Sequence, residues 1–341
     1  MQIGKIVEIP CFLGGHVANR HVSLTGISGS GKTVRLNLIE MDAAKSGKTV
    51  IIFDINSSHS QDNIFPCIKD EYLNFVNRID AKRDGINIRF LQPIQGKNGQ
   101  TEDEVNVISA TAYALGIPLK MGSRQMGVVR EVELFAMRHA EDFPDEMSAI
   151  KEGLREMDNA VADTVYQKMW VLIHSNVFRK SEKQISSGKI NIISFTDVDK
   201  ITQAILVEII LSYFWRTFLI AGSEDEVVLV LDEYQNLMLG EGSCMRTILR
   251  EGRKFGISLL LATQTLSVFD NATRAVINQA ATRLYFRPEA NDIKNVAKEI
   301  DPENMQRWMN VLKTLKRGEA VTVGEFDISD REVCHPVLTR W

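Results

Sequence analysis

The chain has 341 residues, 44% of them hydrophobic and 25% charged, and carries a formal net charge of −4 at pH 7. This length accommodates one α/β domain with an insertion, and the acidic balance excludes a broad basic face, so any contact with nucleic acid must be local or lie on a partner. The four cysteines are scattered without C-x-x-C spacing, which disfavours a disulfide framework or zinc site and fits a reducing, cytoplasmic compartment.

Residues 26–33 read Gly-Ile-Ser-Gly-Ser-Gly-Lys-Thr and fit G-x-x-x-x-G-K-[ST], the phosphate-binding loop of nucleoside triphosphatases. A strand over 21–25 and a helix over 32–44 are predicted where the motif requires them, which disfavours the alternative of a chance Gly/Ser turn. Main-chain N–H groups of the loop and the helix N-terminus would converge on one phosphate. The predicted nucleotide-binding residues are Gly26, Ser28, Gly29, Ser30, Gly31, Lys32 and Thr33.

Two of these residues have distinct roles. Lys32 would reach the β- and γ-phosphates of the nucleotide, and Thr33 would hold Mg²⁺ through its hydroxyl. A nucleoside triphosphate and Mg²⁺ are therefore the expected ligands.

The stretch 48–55 is apolar and β-branched, and it predicts a buried parallel strand that ends at Asp54. Asp54 is then either a functional carboxylate at the ligand-binding edge of the sheet or a cap or loop residue. A further strand is predicted over 86–91. The polar loop 96–100 is either an ordinary connection or a means of presenting Lys97 to a phosphate backbone.

Residues 101–184 lose the strand signal, and their apolar positions recur at helical spacing. We expect four or five helices inserted into the sheet domain, with the methionines of this stretch filling the core. The predicted organisation is a first part of the ATPase core over 1–100, a helical insertion over 101–184 and a second part of the core over 185–341. The most apolar run, 204–220, contains Glu208, Ser212 and Arg216 and is interpreted as a buried helix, not a membrane span.

The second strong motif is Glu-Val-Val-Leu-Val-Leu-Asp-Glu at 226–233, a buried strand that ends in two carboxylates and has the form of a Walker B motif. Adjacent strand residues face opposite ways. Asp232 would bind Mg²⁺, and Glu233 would orient and polarise the attacking water. The buried strand predicted over 257–262 lies beside it and is followed by Gln264, which would reach the γ-phosphate or be a simple loop residue.

The remaining elements are predicted as follows. A helix over 243–255 carries Arg246, Arg250, Arg253 and Lys254, and Gly256 ends it. Helices are also expected over 293–300 and 303–315, and the last strand over 319–323. Trp341 would dock on the body or on a neighbouring molecule.

Three blocks resemble the HerA/FtsK superfamily, with HerA as the most similar branch: 29–33, 230–236 and above all 249–264, Leu-Arg-Glu-Gly-Arg-Lys-Phe-Gly-Ile-Ser-Leu-Leu-Leu-Ala-Thr-Gln. The similar stretch continues through 278–284 to 315–320. The resemblance implies a RecA-like α/β fold, a hexameric ring, ATP hydrolysis at subunit interfaces and DNA in a central pore. It assigns Gln264 as the polar sensor and Arg250 or Arg253 as an arginine finger that reaches the neighbour's γ-phosphate, with Arg283 as a weaker candidate. A guanidinium supplied in trans would make hydrolysis depend on assembly.

The sequence departs from the family pattern in two places. HerA-like proteins usually begin with a β-barrel, whereas this chain reaches its phosphate loop by residue 26, so we expect the barrel to be missing or reduced. The strand that ends at Asp54 usually continues into a Gly-Glu-Tyr-like segment. Here the chain reads Ile-Asn-Ser-Ser-His over 55–59, without the carboxylate, which weakens the case for a catalytic role of this loop.

The sequence leaves three hypotheses. The first is a HerA-like motor that moves double-stranded DNA in DNA processing or antiphage defence, together with a nuclease or other effector. The second is a conjugation- or packaging-type ATPase, which would normally carry membrane segments. The third is an ATP-gated oligomeric scaffold that assembles an effector without moving along DNA; the acidic balance and the reduced barrel favour it somewhat.

Overall fold

The computed structural model describes residues 2–6, 9–12, 20–222, 226–237, 240–328, 331–333 and 335–340. Trp341, predicted to dock, lies outside the described residues. The strands in the described part are β1 (Gln2–Ile6), β2 (Ile9–Phe12), β3 (Val22–Thr25), β4 (Thr49–Asp54), β5 (Val76–Asp80), β6 (Ile190–Ser194), β7 (Val227–Asp232), β8 (Ile257–Thr263), β9 (Thr282–Tyr285), β10 (Ala320–Gly324), β11 (Phe326–Ile328), β12 (Arg331–Val333) and β13 (Val337–Thr339).

Most of these strands form one nine-stranded sheet in the order β13-β10-β9-β3-β8-β7-β4-β6-β5. Its neighbours from β9 to β5 pair in parallel, and β10 adds an antiparallel edge with β13. The central strands are buried along their whole length, as expected for a parallel sheet covered on both faces. The predicted mainly parallel α/β sheet is confirmed.

Helices cover both faces of this sheet. They are α1 (Lys32–Lys45), α2 (Lys69–Leu73), α3 (Glu104–Gly116), α4 (Ser123–Arg138), α5 (Glu146–Glu156), α6 (Ala160–Ser175), α7 (Lys200–Ile220), α8 (Cys244–Glu251), α9 (Asn271–Ile277), α10 (Ile293–Ile300) and α11 (Met305–Thr314). Side chains cap several N-termini by accepting main-chain N–H groups, which fixes where these helices begin. The capping residues are Asp103, Asp145, Asn159, Asp199, Ser243 and Asp270.

The helices between β5 and β6 do not have a separate core. Residues of α3 to α6 share one hydrophobic cluster with α7, α8 and one face of the central strands. Helix α1 and the opposite face of the sheet form a second cluster, and α10 and α11 pack with β9 and β10 in a third. The limits proposed for the helical insertion, 101–184, stay a prediction.

Helix α7 is long and apolar enough to cross a membrane by length and composition, but most of its residues are buried within the protein. On this helix Arg216 forms a buried bidentate ion pair with Glu102, at 2.8 and 2.9 Å. The same guanidinium donates to the carbonyl oxygens of Phe90 and Gln92. Because removing one partner of a buried pair costs about 3–5 kcal/mol, this contact ties the segment 90–102 to the core helix.

These contacts explain one wrong prediction. Residues 86–91 were expected to form a strand but are irregular, with a single isolated bridge between Ile86 and Phe178. Within this segment the Phe90 carbonyl accepts from Arg216 and the Leu91 N–H donates to Glu146, so both groups bond to side chains and not to a neighbouring strand. The edge strand here is β5, whose residues are mostly half-buried. The strand predicted as the last, β10, is followed by β11, β12 and β13.

A second, four-stranded sheet has the order β1-β2-β11-β12 and joins the beginning of the chain to the segment after β10. In the large sheet, β8 lies between β3 and β7. The phosphate loop after β3, Gln264 after β8 and the carboxylates after β7 therefore emerge side by side at one edge, where ligands of parallel sheets bind.

Candidate nucleotide site

The loop 26–31 joins β3 to α1 and packs tightly against the end of β9. A Cβ atom on Gly26 would lie 2.6 Å from the Cβ atom of Phe286, so only glycine fits there. Gly29 has φ +75°, a left-handed conformation that favours glycine. The Ile27 N–H donates to the Arg287 carbonyl (2.9 Å), and the Ser30 N–H donates back to Ile27 (3.2 Å). The loop is therefore held in a fixed turn at the N-terminus of α1.

Lys32 is folded into this turn. Its side-chain ammonium donates to the carbonyl oxygens of Gly26 (2.5 Å) and Ile27 (3.3 Å), and only 5% of the residue is exposed. Burial lowers its pKa, while the Glu233 and Asp232 carboxylates act in the opposite direction. A phosphate in the loop would give this desolvated cation a full negative partner.

Strand β7 delivers Asp232 and Glu233 to the same place. Asp232 is 5% exposed, and burial raises its pKa. Glu233 leaves the strand in a left-handed conformation, φ 56° and ψ 42°, and its N–H donates to Asp232 Oδ1 at 3.0 Å. This turn sends the two adjacent carboxylates in different directions, as their separate predicted roles require.

Gln264 contacts Glu233 directly. Its side-chain amide donates to Glu233 Oε1 at 2.7 Å, and the Gln235 amide donates to Oε2. The hydroxyl of Thr263, the buried end of β8, in turn donates to the side-chain oxygen Oε1 of Gln235 at 2.7 Å. One oxygen of the Glu233 carboxylate is thus oriented by an amide at the end of the neighbouring strand β8, and the other by an amide in the turn that follows β7.

The phosphate loop, the start of α1 and Glu233 line a pocket of about 310 Å³. Six of its lining residues were predicted from the sequence: Ser28, Gly29, Gly31, Lys32, Thr33 and Glu233. Three further polar side chains line it that sequence reasoning missed, Ser58, Asn63 and Arg317. Lys97 lies elsewhere, in a wider cleft with Trp215 and Phe255.

Arg317 reaches the pocket because its turn is bonded to the phosphate loop. The Gly318 N–H donates to the Ser30 carbonyl at 2.8 Å, and the buried Arg35 of α1 donates to the Gly318 carbonyl at 3.5 Å. Residues 315–320 form part of the resemblance to HerA/FtsK proteins, which was the available sequence signal, but nothing local in the turn indicated its position.

Comparison with known proteins agrees with this geometry. Residues 1–213 match the family described as "Helicase HerA, central domain". The chain belongs to this family. The DNA double-strand break repair helicase HerA of Sulfolobus acidocaldarius is 21% identical over 348 residues, which cover 94% of this chain and 65% of that protein. The chain therefore spans 65% of the length of this curated relative.

Solved structures with the same fold include VirB4 of Thermoanaerobacter pseudethanolicus, with a TM-score of 0.68 and 15% identity over 93% of this chain and 89% of VirB4. The plasmid coupling protein TrwB in complex with ADP and Mg²⁺ has a TM-score of 0.59 and 14% identity over 100% of this chain and 81% of TrwB. At these identities the likeness shows the fold, a RecA-like P-loop ATPase core. The predicted HerA/FtsK membership is confirmed.

The arginines assigned from the HerA resemblance do not line the pocket of their own chain. Arg250 is on α8 and Arg253 is in the 3-10 turn Gly252–Phe255; both are exposed. Within the described part of the chain neither side chain forms an ion pair or hydrogen bond. Arg283, the weaker candidate, is half-buried on β9. A finger role thus requires contact with another molecule.

The residues present fit a Mg²⁺ ion. Mg²⁺ is usually held in proteins by one or two carboxylates, substrate phosphates and water. Asp232 is a buried carboxylate whose ionised form is penalised by desolvation, and Thr33 lines the pocket at the start of α1. A cation between the two would offset that penalty. When bound, it would neutralise charge on the β- and γ-phosphates.

Proposed function

We propose that this chain is the ATP-hydrolysing core of a HerA-like motor, which assembles into a hexameric ring and moves double-stranded DNA. The observation that carries the proposal is an incomplete site. One chain supplies the phosphate cradle, the lysine, the two carboxylates and the glutamine, while the arginines expected to neutralise the γ-phosphate lie exposed on another segment. A ring that places one subunit's arginine against the next subunit's nucleotide would complete the site.

In this proposal each residue has a defined role. Main-chain N–H groups of 26–31 and the Lys32 ammonium bind the phosphates of ATP, and Thr33 and Asp232 hold Mg²⁺. Glu233, oriented by Gln264 and Gln235, accepts a hydrogen bond from the attacking water and polarises it. Arg250 or Arg253 of the neighbouring subunit stabilises the charge that develops on the γ-phosphate.

The DNA substrate is supported by the relatives. The curated HerA proteins of Sulfolobus acidocaldarius and Saccharolobus solfataricus are named as DNA double-strand break repair helicases. We infer that the present protein also acts on duplex DNA in the cytoplasm, in DNA processing or defence, with a nuclease or other effector as partner.

One observation favours a second candidate, an ATP-gated scaffold that assembles an effector without moving DNA. Residues 233–243 and 264–270, which leave β7 and β8 beside the nucleotide pocket, contain no lysine or arginine. A phosphate backbone near these segments would find no cation, and the whole chain carries a net charge of −4. DNA contact would then require other surfaces or a partner.

The two candidates are separated by three measurements on the purified protein. Its mass is measured with and without ATP, its ATPase rate with and without duplex DNA, and its ability to remove a protein roadblock from DNA. A motor forms a ring, hydrolyses ATP faster with DNA and clears the roadblock. A ring whose ATPase ignores DNA, and which leaves the roadblock in place, is the scaffold. A monomer with full ATPase activity contradicts both.

A further inference from the structure

The loop after β4 brings a hydroxyl group between two buried carboxylates. Strands β4 and β7 pair in register up to Phe53 and Leu231, so Asp54 and Asp232 follow side by side. They are 2% and 5% exposed. Ser58 Oγ donates to Asp54 Oδ1 at 3.4 Å. Burial raises the pKa of Asp232, and the nearby Ser58 hydroxyl acts in the opposite direction. A serine hydroxyl has one hydrogen to donate. If the Ser58 oxygen accepts a hydrogen bond from another neighbour, its own hydrogen can point toward the carboxylates.

His59 is the neighbour that hydrogen-bonds the Ser58 oxygen. The imidazole is fully buried, with Nδ1 3.0 Å from Ser58 Oγ and Nε2 2.9 Å from Glu40 Oε1. A carboxylate oxygen can only accept, so Nε2 carries a hydrogen. Glu40 Oε2 accepts from the Tyr72 hydroxyl (2.7 Å) and the Asn37 amide (3.3 Å), which fixes the carboxylate. The imidazole is therefore held from α1.

The charges around His59 favour a second hydrogen on Nδ1. Burial alone would lower its pKa, but the Glu40 carboxylate, its hydrogen bond, and the charges of Asp54 and Asp232 outweigh burial and raise the pKa to about 9. Arg78 is the nearby cation, and it donates to the His59 main-chain carbonyl at 2.7 Å. With both nitrogens protonated, Nδ1 donates to Ser58 Oγ, and the serine hydrogen is left for the carboxylates.

We propose that Ser58 is a further residue of the nucleotide site, and that His59, fixed by Glu40, positions the Ser58 hydroxyl against Asp54 and Asp232. The helix that begins at Lys32 also carries Asn37, four residues after Thr33, and Glu40, three residues after Asn37, so the three lie on one face. The contacts thus run from α1, which begins at the nucleotide pocket, through Glu40 and His59 to Ser58 at the same pocket. This inference rests on the proposed function in that it takes Asp232 as a group that meets Mg²⁺ and ATP.

The test compares four single variants by two readouts. The first readout is the ratio of ATP affinities with Mg²⁺ and with EDTA, measured with a fluorescent ATP analogue. The second is kcat and KM for ATP hydrolysis. Ser58→Ala removes the hydroxyl. His59→Asn keeps a donor near the Nδ1 position, whereas His59→Gln keeps one near Nε2 and loses the contact with Ser58. Ser60→Ala is the matched control, because it is the same change in the same loop at a residue that does not line the pocket.

Ser58→Ala and His59→Gln are expected to lower the Mg²⁺-dependent affinity ratio and kcat about tenfold, the low end for residues that orient metal ligands. Affinity in EDTA should stay within about twofold in both, since the phosphate loop is unchanged. His59→Asn should retain most of the wild-type ratio and kcat. Ser60→Ala should change neither readout.

A purely structural role of His59 gives a different pattern, in which His59→Asn and His59→Gln fall together and follow their losses of melting temperature. That pattern, or wild-type behaviour of Ser58→Ala, overturns the inference. Ser58→Ala settles the point even if the His59 variants fail to fold, because Ser58 is a half-buried loop residue. The affinity ratio does not require turnover. If the wild-type protein binds but does not hydrolyse ATP, the proposed function fails while a lowered ratio in Ser58→Ala still supports the positioning role.

Discussion

The nucleotide pocket and the arginine-bearing segment 244–255 expose their charges to water in opposite ways. In the pocket, Lys32 and Asp232 are each 5% exposed and hydrogen-bonded. In the segment, Arg250 and Arg253 are exposed and lack side-chain partners in the described part of the chain. Desolvating a charge is costly unless a partner is present. The difference indicates that Lys32 and Asp232 act within the chain, whereas Arg250 and Arg253 are available to contact another molecule.

Removing the Glu233 carboxylate would test the pocket side most severely. Glu233→Gln is expected to lower kcat about 1000-fold, because the amide cannot accept a proton from water, while ATP affinity stays near wild type. Phosphate release and binding of a fluorescent ATP analogue measure the two effects. Glu251→Gln, an exposed change on α8, is the control. A Glu233→Gln enzyme with the wild-type rate would exclude Glu233 as the group that activates water.

Arg253→Ala tests the other side. As a finger supplied in trans, its loss should lower kcat about 1000-fold and leave ATP affinity unchanged. Mixing equal amounts of Arg253→Ala and Glu233→Gln should then restore about a quarter of the sites, those that combine an intact Glu233 with a neighbour's intact Arg253. If mixing restores nothing, the two residues do not meet across an interface. Full activity of Arg253→Ala would move the finger to Arg250 or Arg283.

Lys32→Ala is expected to weaken ATP binding about 100-fold, equal to about 3 kcal/mol, because the phosphates lose a charge-assisted partner. Calorimetric titration with ATP measures the loss. Lys45→Ala, at the exposed end of the same helix, is the matched control and should bind like wild type, because its surface ion pair with Glu71 contributes little. Equal affinity of Lys32→Ala and wild type would show that the nucleotide binds elsewhere.

Arg317→Ala should have the smallest effect, a rise in KM of about tenfold, because this exposed guanidinium keeps most of its hydration. Its defining property is that the defect stays within one chain, so mixing with Glu233→Gln should leave it uncorrected. Lys316→Ala, one residue earlier in the same turn, is the control. Correction by mixing would instead place Arg317 among the residues that serve a neighbour.

The sequence predicted the parts of the site that depend on local chemistry. The glycines and lysine of 26–33 and the buried strand before Asp232 and Glu233 form short contiguous patterns, and the structure places them together. The position of Gln264 was predicted because the strand before it was expected to lie beside the strand that ends in Asp232 and Glu233. The arginine roles came from family resemblance and stay predictions.

The residues that were missed reach the site through contacts between distant parts of the chain. Arg317 depends on a hydrogen bond from Gly318 to Ser30, and Ser58 depends on His59 and Glu40, which no periodicity connects. The absence of a carboxylate after Asp54 weakened the case for a catalytic role of this loop, although the loop lines the pocket with Ser58 and Asn63. The false strand over 86–91 has the same origin, since the main chain of Phe90 and Leu91 bonds to the distant side chains of Arg216 and Glu146.

The left-handed backbone at Glu233 has a consequence for how this protein can be made more robust. A non-glycine residue in that conformation carries about 1–3 kcal/mol of strain, and Glu233→Gly would release part of it. If Glu233 polarises the attacking water as proposed, screens that reward heat resistance alone would select an inactive enzyme at this position. At this residue, a substitution that raises resistance to unfolding is expected to lower the rate of turnover.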